Sequence, residues 1–335
     1  MNLVTGSTGI VGIRIMFDLL LANKKVKAFH RKGSNKDEVR KAFEFYSDKN
    51  GSKLFEQIIW FEGDLFDVSS IESALEECVH VYHCAALVSF HQKDHDEMYA
   101  VNQIGTENLI NCSLSSDIKL FCHISSIASI GREKEGKTID ENTEWSNSKH
   151  NTFYALTKHG AEQEVWRGME EGLPAVILNP GIIFGAGTYG KSSSSLFSEV
   201  NKGLKFYTNG GGSFVDVRDV SKIAIDAVNR NISNERFVLV SESRSLRSVF
   251  NLLAKYLGKK EPSILANRFI LNLGWRIFYL KDLLSGSKSS LTKESAKAAN
   301  SSFSYNSEKA KKMFDMDFNS CEKSIQFFSK YYQQV

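Results

Sequence analysis

The sequence predicts an α/β fold: a doubly wound parallel sheet of about seven strands, followed by a smaller, mainly helical C-terminal region. Three observations predict it. An apolar run at the N-terminus enters a glycine-rich turn and then a segment whose apolar residues recur at helical spacing. Further short apolar runs follow, separated by helix-patterned stretches, as in successive βαβ units. The 335 residues, 42% apolar and 24% charged, suffice for a large core and for two domains.

The first element is the strand within Met1-Asn2-Leu3-Val4-Thr5, followed by Gly6-Ser7-Thr8-Gly9-Ile10-Val11-Gly12 and a helix through Leu20. Strand, tight turn and helix set backbone N–H groups and the positive end of a helix dipole against a phosphate. Gly6, Gly9 and Gly12 allow the turn, close approach of a ligand and strand–helix contact. Their spacing departs from the older Gly-x-Gly-x-x-Gly pattern, and a turn without a ligand is the plainer alternative.

Six more strands are expected at 26–30, 58–64, 79–84, 119–125, 175–179 and 236–240, with helices over 36–47, 69–77, 93–114, 151–170 and 219–230. Ligands of such Rossmann-like sheets bind beyond the carboxyl ends of the strands, so the residue after each strand matters. His30-Arg31-Lys32 follows the second strand and contains no acid. An acid there binds a free ribose hydroxyl, whereas the forked guanidinium of an arginine suits a 2′-phosphate, so NADP(H) is favoured over NAD(H). The alternative is a pair of solvated loop cations. Asp64-Leu65 follows the third strand; the carboxylate would accept from an adenine amino group with the leucine on the ring, or else serve as a helix N-terminal acid. Cys84-Ala85-Ala86 is small enough for a flat ligand, and Ser125-Ser126 offers hydroxyls after the fifth strand.

Tyr154 and Lys158 stand four apart, on one face of a predicted helix. A free phenol titrates near ~10, too high for ready proton exchange at neutral pH, and a nearby ammonium lowers that value. Lys158 would thus tune Tyr154 as a general acid–base, with Ser126 hydrogen-bonding a carbonyl or alcohol oxygen. The same pair on an ordinary helix face is common, and the context carries the reading.

A net charge of +3 is too small to argue for nucleic acid or an anionic membrane surface. Cys78, Cys84, Cys112, Cys122 and Cys321 form no C-x-x-C pair, which predicts reduced thiols in a cytoplasmic protein. No secretory leader and no stably inserted span are expected; the best apolar stretch, 269–280, is broken by Asn272 and Arg276. It reads as an amphipathic helix on the body of the protein, with a membrane-surface or substrate-access role as the sharper alternative. His91 and His95 have ligand-like spacing but no evident third partner, so no metal is expected.

In this order the pieces resemble the extended short-chain dehydrogenase/reductase family: Thr5 to Gly12, Gly63-Asp64-Leu65, His83 to Ala86, Val101 to Asn108, Ser125-Ser126, Tyr154…Lys158 and Asn179-Pro180-Gly181. The resemblance implies NAD(P)-dependent chemistry, with Tyr154 as acid–base, Lys158 on the nicotinamide ribose and Ser126 orienting the substrate oxygen. Counting back from Gly131 favours Ser126 over Ser125. Implied cofactor contacts are Gly6, Ser7, Thr8, Gly9, Ile10, Val11, Arg31, Asp64, Leu65, Ala85, Ala86, Tyr154, Lys158, Pro180 and Ile183. Asn102 resembles a structural asparagine of the family.

Within it the chain looks most like the dihydroflavonol reductase-like branch, through Gly210 to Val220, Ser290 to Glu294 and Phe303 to Ala310. Met313 to Phe318 departs from that branch, whose members usually carry a leucine–glycine turn there. The implied organisation is a cofactor domain over 1–182, rejoined around 214–240, and a substrate region mainly in 183–213 and 241–335. Tyr189 to Ser195 is expected as a mobile loop. The expected substrate is a small, apolar carbonyl or secondary alcohol; a homodimer through 93–114 and 151–170 follows by analogy with relatives.

Two other readings compete. A nucleotide-sugar epimerase or dehydratase usually carries Arg-Asp where Gly212-Ser213 stand, and dehydratases follow the site hydroxyl with Asp-Glu rather than Ile127-Ala128. A non-catalytic NADP-binding regulator tends to lose the Tyr/Lys pair, which is present here.

Overall fold

The computed structural model describes residues 1–131, 138–146, 148, 151–190, 192–285, 287–289 and 291–334. Lys191, within the expected loop from Tyr189 to Ser195, and Ser290 lie outside the described residues. Seven strands form one sheet: β1 (Asn2–Thr5), β2 (Val26–His30), β3 (Ile59–Glu62), β4 (His80–His83), β5 (Leu120–Ile124), β6 (Ala175–Pro180) and β7 (Glu235–Leu239). Their order is β7-β6-β5-β4-β1-β2-β3, and every pairing is parallel. The order reverses at β1, which is flanked by β2 and β4 with Asn2 opposite both Val26 and His80.

Side chains alternate between two cores. Leu3, Phe121, Ala175 and Ile177 enter one, and Val4, Leu120, Cys122, Val176 and Leu178 enter the other. Burial on both faces explains why the central strands read as continuous apolar runs. Helices α1 (Ile10–Leu21), α2 (Lys36–Tyr46) and, farther on, Val217–Asn229 supply the second core. The first core is closed by α3 (Val68–Leu75), α4 (Gly105–Leu114) and α5 (Phe153–Glu170). The helix Val217–Asn229 is α6; Asp216 caps it, grips Arg218 and accepts from Ser324 Oγ at 2.6 Å, which ties in the terminal helix Cys321–Tyr332.

The structure departs from expectation in four places. The helix expected over 93–114 runs through a short turn (Gln92–Asp94), a helix (His95–Tyr99) and a π-helical turn (Ala100–Ile104) into α4. The widened turn carries Asn102, whose amide holds the Leu87 backbone at both Oδ1 (2.7 Å) and Nδ2 (2.9 Å). The serines expected in a mobile loop instead form a helical turn (Ser192–Ser194) and a helix (Ser195–Asn201). A three-stranded sheet of Ile182–Phe184, Gly211–Asp216 and Glu242–Ser245 was not foreseen, since its strands are short and partly polar. Finally, Asp315 takes φ 47°, ψ 56° at the end of the helix Glu308–Phe314. Aspartate is one of the few side chains that tolerates the left-handed region.

Candidate active site

The glycine turn is shaped by contact as much as by conformation. Gly6 takes φ +60°, and a Cβ there would lie 2.6 Å from the Cys84 carbonyl and from the Ala85 nitrogen, so β1's turn sits directly on the end of β4. A Cβ on Gly12 would lie 2.4 Å from the Gly6 oxygen, which fixes how closely α1 approaches the turn. Gly9 begins α1 with no side-chain cap and no acid in the first turn. The leading N–H groups of a helix lack internal acceptors and carry partial positive charge, which fits a diphosphate. Thr8 is half-buried and Gly9 exposed, so the turn is open to solvent there. Ser7 contributes only backbone to such a site, because its buried hydroxyl donates to Phe29 O at 3.0 Å. Ile10 fills the space beside Gly185 and Gly187, where added Cβ atoms would meet it at 2.3 and 2.8 Å.

Behind the turn lies a buried polar chain. The Ala85 N–H donates to Thr5 Oγ1, which lies 2.7 Å from His83 Nδ1; His83 Nε2 lies 3.0 Å from Thr106 Oγ1, which donates to Asn102 O. Because Thr106 gives its proton to a carbonyl, this direction requires the proton on Nε2 and an accepting Nδ1. Burial, helped by the Lys158 charge, pushes His83 down to about 3, so it stays neutral.

Tyr154 stands in the first turn of α5. Thr152 caps that helix by accepting from Ala155 N at 3.1 Å, and Glu294 accepts from Phe153 N at 3.3 Å. Ser126, just past β5, hydrogen-bonds the Tyr154 phenol. Its Oγ also accepts from Ala128 N at 3.1 Å, which leaves the hydroxyl proton for the phenolic oxygen or a ligand. Burial raises the phenol to about 12, against the lowering effect of Ser126. Lys158 is 1% exposed, and its ammonium donates to Ile124 O at 3.0 Å. Burial holds it down to about 8, with Glu162 opposing that shift. The expected lowering of Tyr154 by Lys158 is therefore not seen in this geometry: the ammonium is turned to the end of β5, and burial dominates the phenol.

Glu162 was missed from the sequence. It continues the face of Tyr154 and Lys158 by one more four-residue step and is 1% exposed. Its carboxylate accepts from Ser129 Oγ and from Asn179 Nδ2, and pairs with Arg236 at 3.3 Å. Asn179 Nδ2 also donates to Ser126 O at 3.0 Å. Glu162 thus anchors the segment that presents Ser126. The Tyr-x-x-x-Lys-x-x-x-Glu spacing was the available signal.

The other predicted residues are dispersed along the same sheet edge. Arg31 is exposed after β2, 3.9 Å from Glu97, an ion pair too long and too solvated to hold it. Asp64 Oδ1 accepts from Phe66 N at 3.0 Å, so at least part of its carboxylate shapes the turn after β3. Leu65 is buried beside Gly105 rather than presented at the surface. Ala85 is half-buried and Ala86 exposed after β4; Pro180 ends β6, and Ile183 lies on the strand Ile182–Phe184 opposite Val215. Asn102 also donates to Thr157 Oγ1 at 3.0 Å, a structural role that joins the loop after β4 to α5. His91 and His95 do not converge: His91 Nε2 faces Asp282 at 3.3 Å, and His95 stacks on Phe153 with centroids 3.9 Å apart.

A family model described as Male sterility protein, an NAD-binding family, matches residues 4–214, more than half of the chain. The chain is 28% identical over 272 residues to Sterol demethylase protein B of Methylococcus capsulatus, covering 78% of this chain and 76% of that one. It is 25% identical over 265 residues to Cinnamoyl-CoA reductase 1 of Petunia hybrida, covering 76% of each. In fold it is similar to the UDP-glucose 4-epimerase of Thermotoga maritima, with TM-score 0.77, 17% identity and 100% and 99% of the two chains covered.

Proposed function

The chain belongs to the Male sterility protein family, among the extended short-chain dehydrogenases/reductases, and from that membership we propose that it is an NADPH-dependent reductase of a small apolar carbonyl compound. The observation that supports this reading is the pairing of Ser126 with the Tyr154 phenol just past β5, with Lys158 one helical step further along α5, on the sheet edge that also bears the glycine turn. The Gly6–Val11 backbone would hold the diphosphate, Arg31 a 2′-phosphate, Asp64 and Leu65 the adenine end, and Ala85, Ala86, Pro180 and Ile183 the rest of the dinucleotide. When bound, the nicotinamide supplies the hydride that reduces the carbonyl carbon.

The protein groups manage the oxygen and the proton. Ser126 donates to the substrate oxygen, and Tyr154, protonated at neutral pH, gives that oxygen its proton as the alcohol forms. Lys158, whose ammonium donates to Ile124 O, would hold the nicotinamide ribose. Residues 183–213 and 241–335 would shape the substrate pocket, and the cinnamoyl-CoA reductase likeness supports an apolar carbonyl or acyl substrate.

Fluorescence titration with NADPH and NADH tests the cofactor, and a carbonyl panel with the preferred cofactor tests the reaction. Tight NADPH binding with weak NADH binding is expected. A clear NADH preference would overturn the cofactor assignment and favour epimerase chemistry. On the substrate so found, Tyr154→Phe should abolish turnover with NADPH affinity nearly unchanged; normal activity of that variant would refute the assignment of the acid–base.

A further inference from the structure

The helix Arg268–Ser285, α7, presents its apolar side outward. It rests on the body through Leu271 and Trp275, which pack with Ala266, Leu291 and Ala296, while Asp282 is also buried. On the opposite side Phe269, Leu273, Ile277 and Leu280 are 75%, 51%, 57% and 57% exposed. Steps of four, four and three residues place them on one stripe. A surface helix ordinarily turns such a stripe to the core.

Charge decides what covers it. At 100° per residue, Arg276 and Lys281 fall on either side of the stripe, both exposed, and Arg268 opens the helix. The single acid of α7, Asp282, is turned away from that side: it accepts from Ser289 N at 2.9 Å, Ser289 Oγ at 2.6 Å and Ser287 Oγ at 2.8 Å, and faces His91. The strand leading into α7 adds exposed Ile264 and Leu265, paired with exposed Phe206. A second copy packed on the stripe would oppose cations to cations with no exposed acid of α7 between them. Lipid phosphates supply the missing charge. Among the described residues no helix is long and apolar enough to cross a membrane.

We propose that α7 lies in the plane of an anionic lipid surface, its apolar stripe at the acyl boundary and Arg268, Arg276 and Lys281 among the headgroups. The test is co-sedimentation of the full chain with phosphatidylcholine vesicles, with and without phosphatidylglycerol, at low and high salt. Binding to the phosphatidylglycerol vesicles is expected, at least fivefold weaker on pure phosphatidylcholine and weaker at high salt. Leu273→Asn with Ile277→Asn should lose most of that binding while melting temperature and NADPH affinity stay unchanged. Arg276→Gln with Lys281→Gln should lose the preference for phosphatidylglycerol. Failure of the unaltered protein to bind, or binding indifferent to the Leu273/Ile277 substitutions, would overturn the proposal. A vesicle-independent dimer that those substitutions dissolve, without vesicle binding, would equally overturn it in favour of a second copy.

Discussion

Replacing Glu162 by alanine removes the acceptor from a buried polar junction. Its Oε2 faces Arg236 at 3.3 Å, and the Arg236 side chain is only 18% exposed. Removing one partner of a buried ion pair costs about 3–5 kcal/mol, because the other charge is left without compensation. Residual solvent access and a second bond from Arg236 to Glu141 O place this case at the lower end, about 3 kcal/mol. Ser129 Oγ keeps Ser126 O at 2.6 Å and Asn179 Nδ2 keeps Ser126 O at 3.0 Å, so they add about 1 kcal/mol at most. A total near 3–4 kcal/mol corresponds to a fall in melting temperature of about 4–6 °C for a chain of this size. Urea unfolding and calorimetry of Glu162→Ala beside Glu162→Gln measure it. The glutamine keeps an acceptor and shape, so it should lose less. A Glu162→Ala protein within about 1 kcal/mol of the parent, or a glutamine variant as damaged as the alanine one, would refute the reasoning.

Three further outcomes follow from the same geometry. Gly12→Ala gains about 0.5–1 kcal/mol of helix propensity, yet its Cβ would lie 2.4 Å from Gly6 O, an overlap costing about 1–3 kcal/mol; denaturant unfolding should show net destabilisation, with weakened NADPH binding. Arg31→Ala should raise the dissociation constant for NADPH roughly tenfold or more and leave that for NADH unchanged, since a charge-assisted phosphate contact contributes about 1.5–3 kcal/mol. Carbonyl reduction should decline as pH rises through about 8, where Lys158 loses its proton, rather than near the phenol's higher value; a flat kcat/KM profile from pH 7 to 9.5 would contradict this. The stability effect of Lys158 has the opposite sign. Its folded value lies below the ordinary 10.5, so the unfolded chain binds more protons between pH 8 and 10.5, and the cost of burying the ammonium, full below pH 8, is relieved across that window.

The sheet was legible because burial on both faces leaves a local mark: Val176-Ile177-Leu178 reads as a strand without knowledge of its neighbours. The glycine turn was legible because Gly6, Gly9 and Gly12 each answer a nearby backbone constraint. Tyr154 and Lys158 were legible through a helical step of four. Glu162 was not, although it takes the next step, because its partners come from Ser129, Asn179 and Arg236, three separate segments. The direction of the Tyr154 shift was not, because adjacency on a helix says nothing of where an ammonium turns; here it turns to Ile124 O. The strand Ile182–Phe184 was too short for periodicity to register.

The placement of β1 also governs when the cofactor cradle comes into being. β1 lies between β2 and β4, and its bond to β4 joins Asn2 to His80, 78 residues away. Closing so long a loop precedes any reward from the pairing, so the β1–β4 contact is expected to form after the more local β1–β2 pairing. Gly6 rests on Cys84 and Ala85 only after that closure. A partly folded chain therefore offers a dinucleotide no turn to bind. Cofactor acts on the finished protein, slowing its escape from the native state while leaving the rate of reaching it unchanged.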